Sequence, residues 1–248
     1  MSWLIDRGVW LSIYSSIKGE LSLSFDRDQI ATDTLSSVLS RMPNTVDVDR
    51  LRSALSGGCV VVLGPAPSIE HDFRRAYSLE LLSRLPVVAV DGATTYLYEQ
   101  GFTPSVVVTD LDGDPNHIAY VNSRGCIAVV HSHGDNIDEL TTWVPRFKGP
   151  VVGSTQVEPR PHVYNFGGFT DGDRALFIAY ALGVRCAVVG GMDFRGPVGR
   201  YSTVYRRKDE AVKRVKLGIA VKLIEMLLSW GMEVKALSPT GVPGVEVM

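Results

Sequence analysis

Eight short, mostly apolar runs occur after residue 58 of this 248-residue chain, and they restrict the folds open to it more than any other feature. They are CVVVLG (59–64), VVAVD (87–91), SVVVTD (105–110), CIAVVHSH (126–133), PVVGS (150–154), VYNF (163–166), CAVVGG (186–191) and MEVKAL (232–237). A strand with one wet face alternates apolar and polar residues. A strand covered on both faces reads as a continuous Val/Ile run, the mark of a parallel sheet. Segments 68–84, 93–100, 115–123, 135–143 and 171–182 separate the runs and are long enough for crossover helices. The repeated strand–helix–strand pattern predicts an α/β fold: an open, doubly wound, mostly parallel sheet, Rossmann-like, with right-handed crossovers. In such sheets ligands bind beyond the carboxyl ends of the strands.

Residues 1–57 read differently. Ile5, Trp10, Ile13, Tyr14 and Ile17 recur at helical spacing, as do Leu35, Val38 and Leu39 after an Asp33 cap. This segment is expected to be a helical N-terminal cap, with its boundary at the SGG of 56–58 and an α/β domain over 58–248. A long helix is expected over 209–230, with Val212, Val215, Ile219, Leu223, Met226, Leu227 and Trp230 on one face and Gly231 ending it. A net charge of −2 points to neither a polyanion nor a membrane as partner. The longest uncharged apolar stretch, ALFIAYALGV (175–184), is about half the ~20 residues of a membrane span. Asp6 and Arg7 stand where a signal peptide would be apolar, so the expectation is a soluble, cytoplasmic protein. Cys59, Cys126 and Cys186 are far apart in apolar runs and are expected to be buried, reduced thiols.

Each of six strands runs directly into a polar segment: GPAPSIE after 59–63, DGATT after 87–90, DLDGD after 105–109, HSHGDNID after 126–130, GGFTDGDRA after 163–166 and GGMDFRG after 186–189. Asp, Gly, Ser and Asn also make ordinary turns and caps. Six such junctions on one edge of a sheet, several with paired glycines that admit a ligand to the backbone, point instead to a site. Asp110 and Asp112, two apart at a fading strand, could project to one side, and Asp135 and Asp138 join them from the next junction. Carboxylates so close repel one another. A Mg²⁺ ion shared with phosphates would offset that repulsion, because hard cations take carboxylate, phosphate and water oxygens. Asp114, just before Pro115, is expected to cap the next helix.

His131, His133 and Asp135 match the H-x-H-x-D spacing of dizinc hydrolases of the metallo-β-lactamase type, but only His162 comes later in the chain, and Asn136 replaces a required histidine. His133 is therefore read as a supporting donor or phosphate contact, and His131 as a half-buried strand residue. Basic residues crowd 195–216. A nucleic-acid patch fits poorly, since the acidic strand ends would repel phosphates lacking a metal. Arg200 and Arg206, on a loop with Gly and Tyr, suit a lid over a triphosphate, and Lys213 and Lys216 can reach one side of their helix.

In order, VDGAT, VVTDLDGDP, HSHGDN, GGFTDGDRA and GMDFRG...YS resemble the archaeal-type 6-hydroxymethyl-7,8-dihydropterin pyrophosphokinases over about residues 58–237. That family is similar to thiamine pyrophosphokinase, whose catalytic domain the expected fold would match; its second, β-sandwich domain has no counterpart here, and its GGR-x-DH is replaced by GGFTDGD. The resemblance implies transfer of diphosphate from ATP to the hydroxymethyl group of a reduced pterin, releasing AMP, on the way to a pterin- or folate-type cofactor. It implies that Asp110, Asp112 and Asp135 hold Mg²⁺ and act in catalysis with Lys213. ATP would lie against Gly64, Ser68, Asp91, Gly92, His133, Arg200, Arg206 and Lys216. Asn165, Asp171 and Asp173 could read the amide-and-amine edge of the pterin, with Thr170 beside them and Phe169 stacking; Asp171 and Asp173 could equally cap the helix they start. No nucleic acid or membrane enters this reading, and a homodimer is compatible with it. Another diphosphotransferase, such as one acting on thiamine, and a non-catalytic nucleotide-binding module stay open.

Overall fold

The computed structural model describes residues 2–203 and 210–248. Three helices come first: α1 (Arg7–Leu21), α2 (Phe25–Leu39) and α3 (Val48–Ala54). Each begins at a side-chain cap, with Asp6, Ser24 and Asp47 accepting from the backbone N–H of Val9, Arg27 and Arg50. Next come β1 (Cys59–Leu63), α4 (Ile69–Ser78), α5 (Leu81–Arg84), β2 (Val87–Val90), α6 (Ala93–Glu99), β3 (Val106–Thr109), α7 (Pro115–Ser123) and β4 (Ile127–Ser132). The chain continues through α8 (Ile137–Trp143), β5 (Val151–Thr155), β6 (Val163–Tyr164), α9 (Asp171–Ala181), β7 (Cys186–Gly190), α10 (Glu210–Ser229), β8 (Glu233–Ala236) and β9 (Glu246–Val247).

All eight expected strands form, and the ninth, β9, adds a short exposed edge. The expected single helix over 68–84 is two, broken at Glu80, which takes a left-handed φ of 58°. Every pairing is parallel, in the order β6-β5-β4-β3-β2-β1-β7-β8-β9. The chain steps outward from β1 to β6, returns and continues from β7 on the other side of β1. The order therefore reverses between β1 and β7, where a doubly wound sheet opens a crevice. The return runs through α9, which packs across β1, β2 and β3.

Strand register builds two cores. Val62, Val88, Val106 and Ile127 line up and point to one face, with Trp10, Leu51, Phe177 and Leu223 packed on it. Val61, Val87, Val107 and Ala128 point to the other, under Leu35, Leu39, Ile118 and Leu140. Full burial of one such aliphatic side chain stabilises by about 1.5–3 kcal/mol, which is why the strands read as unbroken apolar runs. The N-terminal helices share both cores: α1 and α3 lie on the first face and α2 on the second. Leu4 N–H donates to Asn165 O at 2.7 Å and Val46 N–H to Val151 O at 2.9 Å, so the segment also clasps the β5–β6 edge. Among the described residues no helix is long and apolar enough to cross a membrane.

The expectation for the cysteines is also corrected. Cys59 and Cys186 form a disulfide rather than remaining thiols. They are 127 positions apart in sequence but register partners at the start of β1 and β7. Only the insertion of β7 beside β1 brings them together, and no local pattern announces it. Cys126 is free and buried, and burial pushes its thiol pKa up.

Candidate active site

The turns leaving β1 and β7 touch. A Cβ on Gly64 would lie 2.6 Å from Gly191 O, and Gly191 itself holds a φ of 62° against Gly64 O. Only glycines let the two turns close on each other at the point where strand order reverses.

Next to this crossing stand three carboxylates. Asp91 follows β2, Asp110 follows β3 and Asp171 opens α9; one oxygen from each lies within 4.8 Å of the others. Each is held by its surroundings. Asp91 accepts from Thr109 Oγ1 at 2.6 Å and Gly113 N–H at 3.1 Å. Asp110 accepts from Asp112 N–H at 3.1 Å, and its other oxygen faces His133 Nε2 at 3.6 Å. Asp171 accepts from Arg174 Nη1 at 2.8 Å. Asn136 ties the ends of β3 and β4 together by donating to Asp110 O and His131 O, both at 2.8 Å. His133 Nδ1 accepts from Asp135 N–H at 3.2 Å, which leaves Nε2 as the nitrogen turned to Asp110.

Two clefts meet at this trio. The larger, about 520 Å³, is walled by Leu21–Asp28, the ends of β3, β4 and β5, Phe169 and α10. The smaller, about 150 Å³, lies over the β1–β7 crossing, between Gly64–Ala66 and Gly191–Phe194. Thr170, Asp171, Lys213 and Leu217 belong to both walls. Asp91 lines the smaller cleft, Asp110 the larger and Asp171 both, so the carboxylates occupy the seam. Three carboxylates at a concave seam make an all-oxygen donor set of the kind that hard divalent cations prefer.

Comparison with known proteins identifies the lineage. A family model described as "6-hydroxymethylpterin diphosphokinase MptE-like" matches residues 35–198. A curated protein of Methanocaldococcus jannaschii, named 6-hydroxymethyl-7,8-dihydropterin pyrophosphokinase, is 35% identical over 233 residues, 90% of this chain and 96% of its own length. Proteins of the same name from Methanothermobacter thermautotrophicus and Pyrococcus furiosus are 37% and 38% identical, over 88% and 90% of this chain and 94% of each relative. This chain belongs to the MptE-like family. Among solved structures, the MAf glycosyltransferase from Magnetospirillum magneticum AMB-1 matches with a TM-score of 0.49 at 15% identity. The match covers 88% of this chain but only 37% of the glycosyltransferase.

Within this member of the family, the residues singled out in the sequence separate into groups. Asp110, Asp171, Phe169, Thr170, Lys213 and Lys216 meet at the larger cleft, with Lys216 Nζ 5.9 Å from the centre of the Phe169 ring. Asp112, His133 and Asp135 line it too. Gly64 and Asp91 line the smaller cleft. Among the described residues the carboxylates whose oxygens converge are Asp91, Asp110 and Asp171, while Asp112 and Asp135, expected beside Asp110, line the larger cleft outside that trio. The period-two spacing of Asp110 and Asp112 does not carry past Thr109, because Leu111 turns to a φ of 68° and its N–H bonds Thr109 Oγ1. Asp135 is 70% exposed and faces Arg27 at 3.6 Å.

Others serve the scaffold. Asp114 caps α7 as expected, accepting from Asn116 N–H. Asp173, expected at the pterin, is fully buried. Its two oxygens accept from the N–H groups of Phe169 and Thr170 and from the Thr170 hydroxyl, closing a capping box on α9. Burial pushes its pKa up, against the lowering effect of these bonds and of Arg174. Asn165 is buried, donating to Val157 O and accepting from Gly167 N–H. Ser68 and Gly92 lie at the starts of α4 and α6 without lining either cleft; a Cβ on Gly92 would strike Tyr201 O. Arg200 is exposed and bonds Glu70 and the Tyr201 hydroxyl, each within 2.9 Å. Arg206 lies outside the described residues.

Sequence reasoning passed over Asp28, Gln156 and Arg174, all of which line the larger cleft. Gln156 immediately follows β5, so the strand-end rule applied to that junction would have found it. Arg174 reads as an ordinary helix residue, and Asp28 belongs to α2, far from any strand in sequence.

Proposed function

We propose that this chain transfers the terminal diphosphate of ATP to the hydroxymethyl group of 6-hydroxymethyl-7,8-dihydropterin, releasing AMP, with Mg²⁺ as cofactor. The observation that carries this reading is the carboxylate trio at the seam of two adjoining clefts, one for each reactant. The names of the relatives and of the family model supply the acceptor.

In the reaction, the hydroxymethyl oxygen attacks the β-phosphorus of ATP. The bond from that phosphorus to the α–β bridging oxygen breaks, AMP departs with that oxygen, and the hydroxyl proton is lost. The chain provides positioning and charge more than covalent chemistry. Asp91, Asp110 and Asp171 would hold Mg²⁺, which when bound neutralises charge on the transferring phosphate oxygens. Lys213, shared by both walls, contributes a cation where that charge develops. Asp112, in the larger cleft and outside the trio, accepts the hydroxyl proton. Arg174 pairs with Asp171 and fixes its carboxylate at the seam.

The decisive assay mixes the chain with ATP, Mg²⁺ and the hydroxymethyl dihydropterin, then resolves nucleotides and pterins chromatographically. AMP and a pterin diphosphate should appear in equal amounts, and only when all components are present. Release of ADP, or AMP formation indifferent to the pterin or equally supported by thiamine, would reject the proposal.

A further inference from the structure

The larger cleft ends in polar side chains that the fold holds without satisfying. His131, buried at the end of β4 beside the Gln156 side chain, has Nδ1 3.3 Å from Ser154 Oγ, while its Nε2 makes no well-formed hydrogen bond among the described residues. Arg174 is only 2% exposed; Nη1 and Nη2 donate to Asp171 and to Phe169 O, and Nε has no partner among the described residues. A buried polar atom left unpaired costs about 1–3 kcal/mol. Both residues line the same cleft, so each of these groups calls for an explanation.

Gln156, on the same wall, is oriented by its neighbours. Its Nε2 donates to Asp28 Oδ2 at 2.7 Å, an oxygen that also accepts the Tyr14 hydroxyl. The other Asp28 oxygen accepts Gly134 N–H at 2.7 Å. A carboxylate can only accept, so it commits the amide nitrogen and leaves Gln156 Oε1 as an acceptor of fixed direction. Without Asp28 the amide could turn over and present a donor instead.

We infer that Gln156, Arg174 and His131 read the polar edge of the pteridine ring, with Gln156 Oε1 accepting from its amide and amino N–H groups and Arg174 Nε donating to its carbonyl. This rests on the function proposed above and adds which groups select the acceptor. The exocyclic amino group and the hydroxymethyl group lie at opposite ends of the bicyclic ring. Phe169 offers an aromatic face on the same wall, on which the ring can stack while its polar edge is read. Asp28 is a positioning residue: it acts through the Gln156 amide.

The test is equilibrium binding to the full chain, monitored by pteridine fluorescence, of 6-hydroxymethylpterin and of 6-hydroxymethyllumazine, in which a carbonyl replaces the amino group. The wild type should prefer the pterin by about tenfold or more, since the lumazine sets an acceptor against an acceptor. Gln156→Met, which removes the amide at similar size, should shrink that preference to about twofold or less, with circular dichroism confirming the fold. A purely structural role would weaken both ligands alike and leave the ratio intact, so an unchanged ratio in a folded variant overturns the inference. Equal binding of the two pteridines by the wild type overturns it without any variant. A wild type that binds ATP but neither pteridine removes the proposed function as well.

Discussion

Asp110 is where the residue-scale argument is sharpest, because it belongs to the trio and is held from two sides by Asp112 N–H and His133. Asp110→Asn keeps the shape and removes one charge. Turnover should fall about a hundredfold or more, with a higher Mg²⁺ requirement and an unchanged circular dichroism spectrum; kinetics across a Mg²⁺ titration would check this. Asp49→Asn, at an exposed position on α3 that lines neither cleft, should change either quantity by less than about threefold. His131 carries a different prediction. Burial first, and then the charge of Arg174, hold its pKa well below 6.5. The unfolded chain therefore takes up a proton near the ordinary histidine pKa while the folded chain does not. Stability from this group is complete above about pH 6.5 and is lost as pH falls below it, by up to about 1.4 kcal/mol per pH unit. Denaturant melts at pH 7.5 and 5.5 should show that loss, and His131→Gln should show less of it. Asp91, Asp110, Asp171, Phe169 and Lys213 were all legible as strand-end or helix residues of the right chemistry. Their grouping was not, because the turn at Leu111 and the return of α9 set it.

Among the elements, the strands were the most legible, since burial on both faces leaves short, Val/Ile-rich apolar runs, and only β8, exposed on one face, alternates. β9 escaped notice because Glu246 and Val247 are both exposed and form no such run. Helix boundaries were harder: nothing in the sequence forces the left-handed Glu80 that splits α4 from α5. The start of α9 shows how one carboxylate pair divides. Asp171 faces the seam, while Asp173 is consumed by the backbone of Phe169 and Thr170. Asp173→Ala would leave those N–H groups buried without their acceptor and should cost about 1–3 kcal/mol of stability, read as a lower denaturant midpoint. If the side chain instead touched the acceptor, the midpoint would hold and only acceptor affinity would drop.

For the whole molecule, the Cys59–Cys186 link joins the two strands between which the sheet reverses. It closes a loop spanning β2 to β6, so by the loop-entropy account it should stabilise the fold by roughly 2–5 kcal/mol. Reductant, or Cys59→Ser, should lower the denaturant midpoint accordingly while leaving the distant strand ends assembled. Apart from Thr170, Asp171, Lys213 and Leu217, which belong to both, the walls of the two clefts come from different stretches of chain. The smaller is built from the β1, β2 and β7 turns and the start of α9. The larger borrows residues 21–28 and the turn after β5. On the proposed assignment of one reactant to each cleft, acceptor recognition draws on stretches of chain that donor recognition does not. Drift in the first helices and in the residues around Gln156 can retune the alcohol that is accepted while the phosphoryl machinery stays fixed. New acceptor preferences within this lineage should therefore arise first at the amino-terminal hairpin of α1 and α2.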